Sequence, residues 1–87
     1  MIISANEKFW KDVRKLNNRQ VMQDVIDAIE NVRDANSSQD IRELKRLKGA
    51  KAYRIRIGSY RIGITITGHT VDFITVGHRS DFYQFFP

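Results

Sequence analysis

Apolar residues in the first half of the chain recur every three or four positions, the period of a helix with one buried side. Two such stripes flank the polar stretch NNRQ, the first made of Phe9, Val13 and Leu16 and the second of Val21, Val25, Ile29 and Val32. Ser4 precedes Glu7 with the spacing of a capping box at a helix start. We therefore predict helices over about 5–17 and 20–35 that form an antiparallel pair.

A less regular segment connects the second helix to Gly49. The stretch NSSQD has the composition of a loop. In DIRELKRLKG the apolar residues Ile41, Leu44 and Leu47 follow at intervals of three, and Gly49 is suited to end a helix. The segment is therefore predicted to add one further helical turn with its apolar side chains facing inward.

Beyond Gly49 the apolar period changes to two, which is typical of strands with one buried face. The pairs Gly58–Ser59 and Gly68–His69 each fit a two-residue type II′ turn. We predict an antiparallel meander with strands over about 51–57, 60–67 and 70–78, and the stretch MIIS as an additional very short strand.

Together these elements predict an α+β fold. It consists of a small antiparallel sheet of three to four strands with two N-terminal helices packed on one face. With 87 residues the chain is long enough for one small domain, which we expect to span residues 1–87.

The composition narrows the classes of function. The chain contains no cysteine and two histidines, so we expect no disulfide, no metal site and no cofactor. No apolar run approaches the roughly 20 residues of a bilayer span, and the opening MIISANEKFW lacks the pattern of a signal peptide. We therefore expect a cytoplasmic protein that does not contact a membrane.

The net charge of +5 is unevenly distributed along the chain. Residues 1–41 hold six Lys or Arg against seven Asp or Glu, a net of −1, whereas residues 42–87 hold nine against three, a net of +6. A basic half of this kind is typical of a protein with a polyanionic partner, which is most often nucleic acid, although an acidic protein would satisfy it equally well.

Three arginines occupy strand positions that serine or threonine could also fill. If the isoleucines face the helices, Arg54, Arg56 and Arg61 project from the opposite face, because successive side chains of a strand alternate. Crowding these cations is costly unless an anion binds them, and guanidinium suits bidentate contact with phosphate. The alternative is that they keep the sheet soluble, protect its edges and cover apolar surface with their long stems, and spacing alone does not decide between the two.

The segment LKRLKGAKAYRIRIGSYRIGITITGHTVDFITVGHRSDFY resembles the core of the RelE/ParE superfamily of bacterial type II toxins. The resemblance extends from KDVRKL to Tyr83 and is strongest in YRIRIGSYRI, FITVGHR and DFY. It implies two helices on a small antiparallel sheet. In the RelE branch it also implies metal-free cleavage of messenger RNA in the ribosomal A site, by attack of the 2′-hydroxyl on the adjacent phosphorus, and neutralisation by a cognate antitoxin.

Matched by position, the resemblance implies catalytic roles for Arg54, Arg56, Arg61, Arg79 and Tyr83. Arg56 and Arg61 would contact the phosphoryl oxygens and Arg79 the departing oxygen. Tyr83 would stack on a base or orient it, since an aromatic ring with a polar tip suits that role.

The proton acceptor of such a reaction is not evident from the resemblance. The best-known RelE pattern has lysines where this chain has Arg54 and Arg56, and arginine does not readily accept a proton. His78 or Lys51 could substitute. Strict alternation would place His78 and Arg79 on opposite faces, so only one of them would point into the site.

Two further groups of residues flank this site in the sequence. The first is basic and would extend an RNA-binding surface: Lys45, Arg46, Lys48 and Lys51. For Lys45 and Arg46 the alternative is a solvated basic helix end that complements the helix dipole. The second is aromatic and is expected to seal a core or to contact the antitoxin: Phe82, Phe85 and Phe86.

Two other functions stay open at this point. A ParE-like toxin would inhibit DNA gyrase without cutting RNA, but that branch generally lacks the clustered basic residues and the C-terminal tyrosine. A catalytically weak relative would bind only RNA or its antitoxin, and the arginines at the two lysine positions keep this alternative open.

Overall fold

The computed structural model describes residues 1–49 and 51–87. These residues form three helices, a short 3₁₀ turn at Ser38–Asp40 and a five-stranded sheet. In chain order the elements are β1 (Ile2–Ala5), α1 (Glu7–Lys15), α2 (Arg19–Asp34), β2 (Leu44–Arg46), β3 (Ala52–Ile57), β4 (Tyr60–Thr67), β5 (Thr70–His78) and α3 (Arg79–Phe85). The predicted α+β class is confirmed, with more strands than expected.

Asparagine caps begin the two long helices. The Asn6 side chain accepts a hydrogen bond from the backbone N–H of Phe9 at 2.9 Å, and Asn18 does the same for Val21 at 3.0 Å. The capping box predicted at Ser4 is therefore wrong, because Ser4 belongs to β1. No helix among the described residues is both long enough and apolar enough to cross a bilayer.

The strand order in the sheet is β1-β5-β4-β3-β2. The meander of β3, β4 and β5 is antiparallel, and its turns have glycine at positive φ, 64° at Gly58 and 60° at Gly68, as type II′ turns require. β1 pairs with β5 in parallel, with Ile2 opposite Thr70. The predicted short strand at MIIS is thus present, but the sheet is mixed rather than purely antiparallel.

The segment predicted as a helical turn after residue 40 is instead a strand. β2 pairs antiparallel with β3, and Leu44 lies opposite Ile55. Ile41 is buried and Leu44 is half-buried, so the inward direction of both was predicted correctly. Apolar residues three positions apart fit a helical turn, but they also fit a loop followed by a short strand. So few apolar residues do not establish which of the two periods applies.

The main core lies between the sheet and the helix pair. α1 packs over β5, where the rings of Phe9 and Phe73 meet edge to face at 5.5 Å, and α2 packs over β3. Ile55 and Ile62 are buried on this side. By alternation, Arg54 and Arg56 lie on the other side of the sheet, which we call the arginine face.

A second, smaller core lies on the arginine face. α3 folds back across the sheet and places Phe82 and Phe86 against Ala52, with both rings buried. Phe86 lies over Gly63, where a Cβ atom would come within 2.9 Å of three ring atoms. The arginine face is therefore partly covered, and only the part beside the β3–β4 turn stays open.

Candidate functional site

The open part of the arginine face is organised by one row of the sheet. Arg56 on β3 lies directly opposite Arg61 on β4, and Arg61 lies directly opposite Gly77 on β5. Directly opposed side chains share a face and have Cβ atoms about 4.5–5.5 Å apart, so the two guanidinium groups start from adjacent positions. Like charges in such a pair destabilise the sheet unless an anion lies near them.

A concavity of about 400 Å³ opens at this row, and we call it the arginine pocket. Its lining consists of Glu43, Arg56, Gly58, Arg61 and Arg79. The backbone N–H of Arg79 donates to the Ser59 carbonyl at 2.8 Å, which ties the start of α3 to the β3–β4 turn. This bond brings the third arginine to the pocket, although it is 18 positions beyond Arg61 in the chain.

Glu43 supplies the carboxylate among the residues that line the arginine pocket. Its Oε2 lies 2.8 Å from Nη2 of Arg56, and its backbone carbonyl accepts hydrogen bonds from the Arg54 guanidinium at 2.6 Å and from the Arg56 N–H at 3.2 Å. Its φ of 60° is left-handed, a conformation that costs a non-glycine residue about 1–2 kcal/mol. The contacts with β3 hold this strained residue in place.

Glu43 was not among the residues predicted from the sequence. The signal that could have found it is its isolation, because Glu43 is the sole acidic residue between Ile41 and Arg61. An acidic residue within such a basic stretch has several cations within reach, and folding brings Arg56 to it.

The guanidinium groups of Arg54 and Arg61 are held from within the protein. Arg61 donates through Nη1 to the carbonyls of Gly58 and Tyr60, each at 2.9 Å. Among the described side chains, Nε of Arg54 and Nε of Arg61 are buried without a hydrogen-bond partner. A charged donor left in this state costs stability, and such donors call for an explanation such as a ligand or water that completes their contacts.

Comparisons with known proteins show which family the chain belongs to. A sequence profile for the ParE toxin of type II toxin-antitoxin system, parDE, matches residues 3–83. Toxin RelE3 of Methanocaldococcus jannaschii is 44% identical over 61 residues, which cover 68% of this chain and 69% of that protein. The chain belongs to the RelE/ParE superfamily of type II toxins.

Solved structures place the toxin in the same fold. The RelB-RelE antitoxin-toxin complex from Methanococcus jannaschii contains a chain that matches with a TM-score of 0.80 and 33% identity, over 97% of this chain and 99% of that one. A chain of the intact Escherichia coli RelBE complex matches with a TM-score of 0.69 and 22% identity, over 88% and 94%, and so shares the fold. The resemblance seen in the sequence is therefore confirmed.

His78 and Arg79 separate at the end of β5, as alternation predicted. His78 lies opposite Tyr60, and the two rings meet edge to face at 5.3 Å, away from the row that carries Arg61. Its Nδ1 accepts the backbone N–H of Ser80 at 3.1 Å and so caps α3. In the toxin, Arg79 lines the arginine pocket and His78 does not.

The remaining predicted site residues are not among those that line the arginine pocket. Tyr83 is half-exposed on α3, a helix that was not predicted from the sequence, and its ring meets Phe82 edge to face. Lys45 lies directly opposite Arg54 and so shares the arginine face, and Arg46 is exposed on β2. Lys48 and Lys51 are exposed in the connection between β2 and β3.

Within residues 1–49 and 51–87, no group of three or more His, Cys, Asp or Glu side chains is placed to hold a metal ion. With Arg56, Arg61 and Arg79 against Glu43, the arginine pocket carries a formal net charge of +2. It is suited to a ligand with a phosphate group.

Proposed function

We propose that this toxin is an endoribonuclease that cuts messenger RNA in the ribosomal A site. The observation that carries the proposal is the arginine pocket, whose lining combines three arginines with one carboxylate. Cleavage of RNA by its own 2′-hydroxyl needs a proton acceptor on one side and cations around the phosphorus. The lining residues supply both.

The arginines take the roles of charge stabilisation. Arg56 and Arg61 contact the non-bridging phosphoryl oxygens, on which negative charge increases as the 2′-oxygen attacks. Arg79 neutralises the charge on the departing 5′-oxygen, which takes its proton from water. The products are a 2′,3′-cyclic phosphate and a free 5′-hydroxyl. Arg54 contributes indirectly, since its guanidinium supports the backbone of Glu43.

Glu43 is the proton acceptor in this proposal. Its carboxylate lies at the arginine pocket and is oriented by Arg56 at 2.8 Å. His78 is less suited, because its Nδ1 caps α3 and its ring packs on Tyr60. Lys51 is exposed and is not among the residues that line the pocket.

A cognate antitoxin is the second partner that we propose, and we expect both to act in the cytoplasm. Support comes from the solved relatives, which are toxin-antitoxin complexes in Methanococcus jannaschii and Mycobacterium tuberculosis. An acidic antitoxin segment would find the same cations that we assign to RNA.

The test is induced expression without antitoxin, followed by mapping of new RNA 5′ ends and by a gyrase supercoiling assay on the purified toxin. Cuts within reading frames that disappear when translation is blocked are expected. Intact messages together with inhibited gyrase would instead support the ParE-type function whose profile the chain matches. If neither messenger cleavage nor gyrase inhibition is observed, the protein binds RNA or its antitoxin without catalysis.

A further inference from the structure

Phe85 differs from the two phenylalanines beside it. Phe82 and Phe86 are buried in the small core of the arginine face, whereas 50% of Phe85 is exposed. Exposure of a large aromatic ring in an otherwise covered cluster is costly in water. Nothing in the proposed reaction uses this ring.

The position of Phe85 is set by a glycine. Gly77 has no side chain, and the tip of the Phe85 ring occupies the space above it: a Cβ atom at Gly77 would lie 2.7 Å from Cζ and at least 3.5 Å from the next ring atoms. The ring therefore stands on its tip, with Phe82 edge to face at 5.9 Å. The plane of a ring held in this way stands up from the sheet, so its flat faces are not packed against the sheet.

Gly77 belongs to the row that organises the arginine pocket. It lies directly opposite Arg61, which lies directly opposite Arg56. Neighbouring strands are about 4.8 Å apart, so the tip of the Phe85 ring, above Gly77, is one strand spacing from the backbone of Arg61. The row thus places two cations and one upright aromatic ring side by side.

We propose that Phe85 is a stacking platform for a nucleobase of single-stranded RNA, next to the phosphate held by Arg56 and Arg61. The inference deepens the proposed function, since it rests on RNA as the ligand of the arginine pocket. Single-stranded nucleic acids are bound in general by cations that contact the backbone and by aromatic rings that stack on the bases. This juxtaposition on one row provides both, and it adds a second ring to the one expected at Tyr83.

Charge favours RNA over a protein as the occupant of this ring. An apolar side chain of a protein partner could pack against the ring, but it would lie beside a pocket of formal charge +2 that it does not neutralise. A nucleotide carries a flat base and a negative charge on one unit, so it can contact the ring and the cations together. The antitoxin is therefore the competing outcome of the test.

The experiment measures binding without cutting. The probe is a short RNA with 2′-O-methyl groups throughout, so that no 2′-hydroxyl can attack, and with 2-aminopurine as one base, whose fluorescence falls on stacking. Wild-type toxin is expected to bind and to quench the fluorescence. Phe85→Leu, which keeps an apolar side chain but lacks the flat ring, is expected to lose the quenching and to bind between about 5-fold and 100-fold more weakly.

Two variants separate stacking from general damage. Gly77→Ala leaves the Phe85 ring in the chain but displaces its tip, so it should also lose quenching. Trp10→Leu removes an exposed ring from α1, on the other side of the sheet, and should leave quenching and affinity unchanged. Thermal unfolding of each variant, together with rescue of quenching by Phe85→Tyr, excludes a loss of fold as the cause.

The proposal is overturned if Phe85→Leu binds and quenches as the wild type does, or if it weakens only the complex with the antitoxin. Its failure is distinguishable from that of the proposed function. Quenching that depends on Phe85 in a toxin that cuts no message would retain the platform and reject the nuclease, and cutting that is indifferent to Phe85 would do the reverse.

Discussion

Arg61 combines two tasks in one side chain. Its Nη1 atom donates to the carbonyls of Gly58 and Tyr60, its Nε atom is buried, and the side chain lines the arginine pocket. The planar fork allows both at once, because its donors diverge in fixed directions. Lysine keeps the charge but has no such fork, so the two residues are not interchangeable here.

Arg61→Ala is expected to lower the rate of messenger cleavage about 100-fold or more, because a cation at the phosphoryl oxygens is removed. Arg61→Lys should recover only part of the rate. Circular dichroism and thermal unfolding check that both variants keep the fold. Undiminished cell toxicity from a folded Arg61→Ala protein would refute the assignment.

Glu43→Gln is expected to lower the cleavage rate by about 10²-fold to 10⁴-fold while leaving RNA affinity unchanged or improved, because the amide cannot accept the 2′ proton and no longer neutralises Arg56. Single-turnover cleavage and binding of the 2′-O-methyl RNA measure the two effects separately. His78→Ala is the matched comparison, and a greater loss of the chemical rate there than in Glu43→Gln would reverse the assignment.

At this scale the sequence predicted the cations better than the carboxylate. Alternation placed Arg54, Arg56 and Arg61 on one face because strand period is a local property. Glu43 escaped prediction because its role depends on β2 pairing with β3 and on a left-handed backbone, neither of which is visible in a short window. Arg54 also differs from expectation in position, since it supports Glu43 from beside the pocket rather than lining it.

The packing of α3 on the sheet depends on two strand glycines, because their missing side chains leave room for its rings. Phe86 occupies the space over Gly63, and Phe85 the space over Gly77. The two glycines therefore allow the aromatic side chains of α3 to approach the backbone of the sheet closely. This helix was not predicted from the sequence, because its packing depends on contacts between rings and glycines that are distant in the chain.

Gly63→Ala is expected to destabilise the toxin by about 1–3 kcal/mol, since a Cβ atom would press on three atoms of the buried Phe86 ring. Chemical denaturation measures the change. The combination with Phe86→Leu should cost less than the sum of the two single changes, because the smaller side chain relieves the overlap. Additive costs would show that the contact does not couple them.

The hydrogen bond from Thr75 to Asp12, at 2.7 Å, ties α1 to β5. Burial raises the pKa of Asp12, but the hydrogen bonds from Lys8 and Thr75, with the charges of Lys8 and Lys15, outweigh it and hold the pKa below its usual 3.8. A carboxyl whose folded-state pKa is lowered stabilises the fold above its unfolded-state pKa, and this contribution is lost as the pH falls through the folded-state value.

We therefore expect the melting temperature of the toxin to fall on acidification below about pH 3.8 more steeply than that of Asp12→Asn. The variant should be the less stable protein near neutral pH, and the two curves should converge in acid. Thermal unfolding over this range is the measurement, and parallel curves would show that Asp12 contributes no linkage.

For the whole molecule, the long elements and the fold class followed from local periodicity, whereas the outer strand β2 and the parallel pairing of β1 did not. The helix pair and the meander are each specified by their own apolar spacing. β2 is three residues long and was mistaken for a helical turn, because its strand character comes from its partner β3. The order β1-β5-β4-β3-β2 likewise reflects long-range pairing.

The uneven charge of the chain gives a prediction for the whole molecule. The three arginines that we propose as phosphate contacts should make the affinity for 2′-O-methyl RNA fall with salt, with a slope of log affinity against log salt of about −2. A titration at several salt concentrations measures it, and Arg61→Ala should make the slope less steep. A slope near zero would mean that few phosphate contacts are made.

The parallel pairing of β1 with β5 determines when the sheet can form during synthesis of the chain. Ile2 lies opposite Thr70, so β1 can pair only after a partner 68 positions later in the chain has been translated. β5 also carries the sheet row and leads directly into Arg79, so neither the sheet nor the pocket is complete on a nascent chain that lacks this strand. During its synthesis the toxin therefore gains the arginine pocket only after β5 and the start of α3 have been translated.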